Sequence, residues 1–219
     1  MSTLTLLRHA QASFGADKYD ALSDRGHMQA KILGQFWAER APRFDQILVG
    51  PRDRHRLTAK LALSPIGLNW QVEATPELDE FAEGQQILAS VKQRQRQTLD
   101  GKEAARQYAR EIDDWSAGRV ELSGIRSAAS FRADVGRWLH DATTQSKKSG
   151  QSLLAVTSGG VIAAVMCIVL DLPDAKLSAF MNAIHNASLT QLAFSAGRSP
   201  SLQSFNVAGH LPDDMLTRL

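Results

Sequence analysis

A set of polar side chains follows the apolar runs of this sequence, and their types suit chemistry on a phosphate group. Arginine carries a planar guanidinium that matches two phosphate oxygens, and it stays charged at all working pH values. Histidine is the side chain best suited to act as a neutral nucleophile near pH 7. The positions concerned are Arg8, His9, Arg54, Glu80 and Ser158. If these side chains lie around one pocket, its two guanidiniums, imidazole and carboxylate predict a phosphate-binding site.

The segments that would position these side chains alternate between strand and helix. Apolar β-like runs at 3–7, 46–50 and 152–157 are each followed by a segment with helical spacing. Such alternation implies a parallel sheet, and ligands of these sheets bind beyond the carboxyl ends of the strands. We therefore expect the residues that follow the runs to surround one pocket.

Helical spacing is clearest after the first run and in the middle of the chain. Ser23 is a favourable N-cap for the first helix. Three apolar faces are predicted, and they comprise Ala30, Leu33, Phe36 and Trp37; Ala104, Tyr108, Ile112 and Trp115; and Ala128, Phe131, Val135, Trp138 and Leu139. We interpret roughly 85–125 as a helical cap inserted into the domain. Two further strand-like runs, 188–194 and 201–205, are separated by the turn-forming AGRSPS.

The composition describes one ordinary globular domain over residues 1–219, because 43% of the residues are hydrophobic and 22% are charged. The net charge of +2 does not suggest a nucleic-acid or membrane surface, and the basic run KQRQRQ at 92–97 is interpreted as a solvated helix face. The apolar segment 159–170 is too short to cross a bilayer, and no signal peptide is indicated. Cys167 is expected to be a buried core thiol, which fits a cytoplasmic location.

Several motifs resemble those of the histidine phosphatase superfamily, which includes the cofactor-dependent phosphoglycerate mutases. The opening strand ends in Arg8-His9, and a family-type helix start follows at Leu22, Ser23, Gly26, Gln29 and Ala30. The other matching segments are GPRDRHRLTA at 50–59, LDEFAEG at 78–84, NASLTQL at 186–192 and FNVAGHL at 205–211. The resemblance spans the whole chain.

The resemblance implies an α/β three-layer sandwich with a mainly parallel central sheet. It also implies that His9 attacks phosphorus, that a phosphohistidine forms, and that water then releases phosphate. Arg8 and Arg54 would hold the phosphate oxygens, and Glu80 would protonate the departing oxygen as general acid. This scheme requires no cofactor and no metal, and the histidines lack the spacing of zinc ligands.

The chain departs from the family pattern at three positions of the site. Ser158 stands where the family has its second catalytic histidine, Gly50 replaces a serine, and Ala10 replaces a glycine. A hydroxyl donates one hydrogen bond but lacks the charge of an imidazolium, and losing one such donor typically costs on the order of 10² to 10³ in rate. From the sequence alone, Ser158→His is therefore expected to raise turnover.

Other cationic side chains near these motifs are interpreted as structural. His55, His185 and His210 are expected to be loop or cap histidines, because no spacing directs them to the pocket. Arg52 and Arg56, on either side of Arg54, are interpreted as surface residues.

Three functions remain open at this point. The first is a phosphatase that hydrolyses a phosphomonoester, either a small metabolite or a phosphoprotein. The second is a catalytically weak or inactive family member that binds a phosphorylated ligand or partner, because both arginines are present while one histidine is missing. The third is a phosphoglycerate mutase, for which no second phosphate site is identifiable. The sequence specifies neither the substrate nor the oligomeric state.

Overall fold

The computed structural model describes residues 1–13, 20–68, 74–84, 86–87, 89–90, 101–144, 149–195 and 197–218, with the backbone alone at 101, 102, 104 and 105. Five strands lie within these ranges: β1 (Ser2–Arg8), β2 (Gln46–Val49), β3 (Ser152–Thr157), β4 (Leu189–Ser195) and β5 (Arg198–Val207). The α-helices of the same ranges include α1 (Asp24–Arg40), α2 (Asp53–Leu63), α3 (Gly101–Ser116), α4 (Ala128–Thr144), α5 (Gly159–Val169) and α6 (Leu177–Ala183).

The strands form one sheet in the order β2-β3-β1-β4-β5. The first three of these strands are parallel, whereas β4 pairs antiparallel with β1 and β5 pairs antiparallel with β4. All five strands predicted from the sequence are present. Because β1, β2 and β3 are parallel, their carboxyl ends meet at one edge of the sheet, and the residues that follow them lie close together.

Helices cover both faces of the sheet, which confirms the predicted three-layer sandwich. Alternate residues of a strand point to opposite faces. On β3, Leu154 and Val156 pack with α1 and α2 around Leu33, Trp37 and Leu63. Leu153 and Ala155 face the other way and pack with residues of α3, α4 and α5. Both faces of the sheet are therefore buried, as a parallel sheet requires.

The helix faces predicted from apolar spacing pack against these layers. Ser23 is the N-cap of α1, and its hydroxyl accepts a hydrogen bond from the Gly26 amide at 3.0 Å. The predicted face of α4 is buried along its length, at Ala128, Phe131, Val135, Trp138 and Leu139. On α3, Ile112 and Trp115 are buried and Tyr108 packs against them, while the side chain of Ala104 lies outside the described residues.

The helix α3 lies within the segment predicted to be a cap. Residues 91–100 of that segment, including the basic run at 92–97, lie outside the described residues. The cap boundaries of 85–125 and the single-domain organisation over 1–219 stay predictions. Cys167 is buried within α5, and this burial raises the pKa of its thiol to about 11.

The turn predicted between the last two strands is shorter than AGRSPS suggests. The strand β5 already begins at Arg198, so Ser199 and Pro200 belong to the strand and not to the turn. Proline has no amide hydrogen for the ladder, but β5 is the outer strand of the sheet, where proline is tolerated.

Every helix of the described ranges is too short or too polar to span a membrane.

Candidate active site

The strand ends place three segments side by side at the carboxyl edge of the sheet. Arg8 pairs with Thr157 in the β1–β3 register, so the next residues along the two strands are His9 and Ser158. The amide of His9 donates to the carbonyl of Thr157 at 2.8 Å. On the other side of β3, the Gly50 amide donates to the Val156 carbonyl at 2.9 Å. Backbone pairing thus brings His9, Ser158 and the start of α2 together.

His9 is buried, and its ring is fixed by the backbone. Its Nδ1 lies 2.7 Å from the carbonyl oxygen of Ala10, which accepts a hydrogen bond from Nδ1–H. The other ring nitrogen, Nε2, is then unprotonated and is the atom with a free electron pair. The pKa of His9 lies well below its usual value, first because the ring is buried and then because Arg54, His55 and Arg8 add positive charge nearby. His9 is therefore neutral, as a nucleophile must be.

The family-type helix start holds the loop that follows His9. A Cβ at Gly26 would lie 2.1 Å from the Gln11 carbonyl oxygen, so only glycine allows α1 to approach this loop. The Gln29 side chain accepts from the Gln11 amide at 2.8 Å and donates to the Met215 carbonyl at 2.7 Å. From α2, the Thr58 hydroxyl accepts from the Ala10 amide at 3.0 Å. These contacts fix the backbone on which the His9 ring depends.

The two candidate phosphate-binding arginines come from different elements, Arg8 from the end of β1 and Arg54 from the first turn of α2. Arg8 donates to the carbonyl of Ile184 and passes over the start of α5, where a Cβ at Gly159 would lie 3.4 Å from its Nε. Arg54 is 3% exposed and donates to Asp20 Oδ1 at 2.8 Å. Both guanidiniums are close enough to lower the pKa of His9. The structure therefore places two positive charges near the His9 ring.

Arg52 differs from the expectation that it lies on the surface. It forms ion pairs with Asp79 and Glu83, and its side chain is only 22% exposed. Arg52 immediately precedes α2, and its partners Asp79 and Glu83 follow the turn Pro76–Leu78, so the two segments are joined by opposite charges. Arg56, by contrast, is 52% exposed, as expected. Arg52 thus ties the segment that carries Glu80 to the segment that carries Arg54.

Glu80 lies with its carboxyl group against the amino terminus of α5. Oε2 accepts from the Gly160 amide at 3.1 Å, and Oε1 accepts from the Phe81 amide at 3.0 Å. Burial raises the pKa of Glu80, although these hydrogen bonds and the charges of Arg54 and Arg8 act in the opposite direction. Glu80 therefore keeps its proton to a higher pH than an ordinary glutamate, which suits a general acid.

The close approach of Glu80 to Gly160 leads to a first prediction, for Gly160→Ala. A Cβ at this position would lie 2.0 Å from Glu80 Oε1, and the flexible carboxylate would have to move. We expect kcat to fall by on the order of 10²-fold, the usual cost of about 1 Å of misplacement. The thermal unfolding temperature should change little. Alanine stabilises a helix by about 1 kcal/mol relative to glycine, and this gain offsets the cost of moving the Glu80 side chain.

The matched control is Gly136→Ala on α4, where a Cβ would meet only the Ile168 Cδ1 atom at 3.6 Å. Steady-state kinetics on both variants should show the loss of kcat at Gly160 alone. Wild-type kcat in Gly160→Ala would contradict this role for the Glu80 position.

Ser158 occupies the N-cap position of α5, and its side chain makes no capping hydrogen bond but contacts a histidine that the sequence did not predict to reach the site. Its side chain is fully buried, and its Oγ lies 2.7 Å from His55 Nε2. The His55 ring is also fully buried, with its centroid 5.5 Å from that of His9. A Cβ at Gly50 would lie 2.2 Å from His55 Nδ1, so the glycine in place of serine makes room for this ring. The unusual Gly50 was the signal that could have identified His55.

The other two histidines considered from the sequence have partners elsewhere. His185 Nδ1 lies 3.2 Å from the Asn206 side-chain nitrogen, and its Nε2 accepts from Arg218 at 3.3 Å. His210 packs against the Phe36 ring at a centroid distance of 5.4 Å. Within the described part of the chain, no cluster of histidine, cysteine, aspartate or glutamate side chains has the composition of a metal site.

The model of the histidine phosphatase superfamily (branch 1) matches residues 4–208. This match, which agrees with the three-layer fold and with a histidine close to two arginines, shows that the chain belongs to the histidine phosphatase superfamily. The relatives and structural neighbours reported below are phosphatases.

The serine/threonine-protein phosphatase Pgam5, mitochondrial, of Drosophila virilis is 27% identical over 217 residues, which cover 98% of this chain and 66% of that protein. The protein of the same description from Drosophila grimshawi is 29% identical over 218 residues, with the same coverage of 98% and 66%. The chain thus spans about two thirds of the length of these curated relatives.

Solved structures share the fold at low sequence identity. A phosphoserine phosphatase variant from Entamoeba histolytica, in complex with phosphoserine, superimposes with a TM-score of 0.69 at 20% identity, over 97% of this chain and 100% of that chain. The alpha-ribazole phosphatase from Shigella flexneri gives a TM-score of 0.66 at 20% identity, over 94% and 96% of the two chains. At this identity the likeness establishes the fold alone.

Proposed function

We propose that this chain is a phosphatase that hydrolyses a phosphomonoester through a phosphohistidine on His9. The observation that carries the proposal is the His9 ring, which is buried and neutral and has its Nδ1 bound to the Ala10 carbonyl. A fixed, unprotonated Nε2 on a ring close to Arg8 and Arg54 is arranged for attack on an anionic phosphorus group.

In the first step, the electron pair of His9 Nε2 forms a bond to phosphorus while the ester P–O bond breaks. Arg8 and Arg54 bind the phosphoryl oxygens, whose charge shifts during transfer. The proton of Glu80 goes to the departing oxygen, so the product leaves as a neutral alcohol. The raised pKa of Glu80 supports this role, because the acid form persists closer to neutral pH.

In the second step, a water molecule attacks phosphorus and the P–N bond breaks. The Glu80 carboxylate, now unprotonated, takes the proton of the water and returns to its acid form. The hydrogen bonds from Gly160 and Phe81 hold that carboxylate in both steps. Inorganic phosphate is then the second product, and His9 is neutral again.

For the substrate, we propose a phosphorylated small molecule or a phosphoprotein. The relatives' names mention serine/threonine-protein phosphatase and phosphoserine phosphatase, and both describe phosphate esters of an alkyl alcohol. An alkyl alcohol is a poor leaving group, so a placed general acid such as Glu80 is useful for it. Partners other than the substrate, including nucleic acid and membranes, are not expected, and the cytoplasmic location stays a prediction.

A second candidate function is phosphate binding with little turnover, and Ser158 is the observation that favours it. A neutral hydroxyl occupies the position of the family's second catalytic histidine. Under this hypothesis Arg8 and Arg54 would still bind a phosphorylated ligand, but hydrolysis would be negligible.

We expect the wild-type protein to release phosphate from alkyl and aryl phosphomonoesters, with phosphoserine and a phosphoserine peptide included in the assay set. Phosphate release without added metal, measured in the presence of a chelator, distinguishes this chemistry from that of a contaminating metal-dependent phosphatase. Tight binding of inorganic phosphate without hydrolysis of any ester would instead favour the binding function. Transfer of phosphate between positions of a phosphoglycerate, without release, would favour a mutase.

A further inference from the structure

His55 is a buried histidine for which the proposed reaction has no role. It follows Arg54 on α2, is 0% exposed, and lies among positive charges from Arg54, Arg52 and Arg56. Burying an imidazole in such a place is unfavourable unless its nitrogens have partners. Its Nε2 has one, the Ser158 hydroxyl at 2.7 Å.

The backbone around His55 is shaped to admit this ring. A Cβ at Gly50 would collide with Nδ1 at 2.2 Å and with the Leu78 carbonyl oxygen at 2.8 Å. Because Nδ1 faces the Gly50 backbone, Nε2 is the nitrogen left to face Ser158. The three residue types are therefore compatible with one another: Gly50 leaves space for the His55 ring, and Ser158 provides a hydrogen-bond partner for it.

Ser158 is the first of three consecutive residues that each contact a side chain of the site. The Ser158 hydroxyl contacts His55, while a Cβ at Gly159 would lie 3.4 Å from Arg8. The Gly160 amide binds Glu80 at 3.1 Å. The hydroxyl thus lies at the same helix terminus as the candidate phosphate-binding arginine and the candidate general acid.

We propose that His55 is a positioning residue that acts through Ser158, so that the pair together supplies a charged hydrogen-bond donor to a phosphate oxygen. This inference rests on the proposed function of the site. In the free protein His55 is neutral, and the Ser158 hydroxyl donates to its Nε2. When a phosphate dianion binds, His55 takes up one proton from solvent, and Nε2–H then donates to Ser158 Oγ. The Ser158 hydroxyl group is then free to donate its hydrogen bond to a phosphate oxygen.

The charges around His55 agree with this sequence of events. Its pKa is lowered well below the usual value by burial first, then by Arg54 and Arg52, and the Gly50 backbone offsets this only in part. The neighbouring His9 is itself neutral, and the other charged group facing the ring, Arg56, also disfavours protonation. A bound dianion offsets these positive charges and so favours the proton on His55.

The decisive kinetic experiment removes the imidazole at position 55 and introduces one at position 158. His55→Ala should lower kcat by on the order of 10²-fold, the usual effect of a lost transition-state donor. Ser158→His alone should also lower kcat, since the new ring would collide with His55, and this reverses the expectation from sequence. The double variant His55→Ala/Ser158→His should recover kcat to within about tenfold of wild type.

A readout independent of turnover guards against a double variant that fails to fold. Calorimetric binding of inorganic phosphate at about pH 8, in buffers of different ionisation enthalpy, counts the protons taken up. We expect uptake by the wild type and clearly smaller uptake by His55→Gln, which keeps a hydrogen bond to Ser158 without the charge. The matched control, His140→Gln on the exposed face of α4, should behave like the wild type.

Equal proton uptake and equal kcat in His55→Gln and wild type would overturn the inference, even if His9-dependent hydrolysis is observed. Failure of the proposed function would be recognised by a different result, namely that no hydrolysis depends on His9. Lower proton uptake in His55→Gln would then still support the role of His55 in phosphate binding.

Discussion

Replacement of His9 by alanine is expected to lower kcat for phosphomonoester hydrolysis by on the order of 10⁴ to 10⁶-fold, the usual effect of removing a catalytic nucleophile. The reason is that, in the proposed reaction, His9 Nε2 forms the bond to phosphorus, and no alanine atom can replace it. Steady-state phosphate release at saturating substrate measures this effect. A complementary trapping experiment, with a labelled phosphodonor and rapid quenching, should give an acid-labile phosphoprotein from the wild type and none from His9→Ala.

The matched control for this variant is His140→Ala, because His140 is exposed on α4 away from the strand ends. Its kcat should equal that of the wild type. Labelling of His9→Ala to the wild-type extent would show that another residue accepts the phosphoryl group. Residual hydrolysis at the wild-type rate in His9→Ala would point to a contaminating enzyme.

Glu80→Gln should lower kcat by on the order of 10² to 10⁴-fold for alkyl phosphates, because glutamine cannot donate the proton that the departing oxygen needs. The loss should be much smaller for nitrophenyl phosphate, whose phenolate leaves without protonation. The amide is nearly isosteric, but its single oxygen can accept from only one of the two amides of Gly160 and Phe81, so any loss from altered positioning should affect both leaving groups. The difference between the two leaving groups therefore isolates proton transfer from positioning.

The pH profile gives the same information independently. Because burial raises the pKa of Glu80, the acid form is lost only as pH rises through that raised value. Wild-type kcat/KM for alkyl phosphates should fall over that interval, and this limb should be missing in Glu80→Gln. Glu77→Gln, at an exposed position of the same segment, is the control and should keep the wild-type profile. An equal loss for both leaving groups would argue against Glu80 as the general acid.

The strands and the residues at their ends were predictable from the sequence, because the short apolar runs of the sequence are also the segments that form the sheet. TLTLL, QILVG and SLLAVT are apolar runs flanked by polar residues, and both faces of the inner strands are buried. In a parallel sheet, the residues that follow such runs must meet at one edge. The positions of His9 and Ser158 follow directly from this rule and the β1–β3 register.

His55 was not predictable by the same reasoning, because its position depends on packing between segments. Adjacent helix residues point about 100° apart, so Arg54 in the site gives no reason to place His55 there as well. Only the space left by Gly50, together with the missing histidine at 158, allows the ring to enter. Arg52 was misassigned for a similar reason: its partners Asp79 and Glu83 are distant in sequence and reach it only in the folded chain.

The position of β1 in the sheet also has a consequence for how this protein is made. β1 precedes the other four strands in the chain, yet both of its neighbours, β3 and β4, come from the second half of the sequence. At roughly 5–20 residues per second, the ribosome needs on the order of ten seconds to reach Ser152 after Arg8. During that time the apolar strand before His9 has no partner, and unpaired strands of this kind aggregate readily. The yield of folded protein should therefore depend on how well chaperones protect the nascent segment that contains β1 until β3 and β4 emerge.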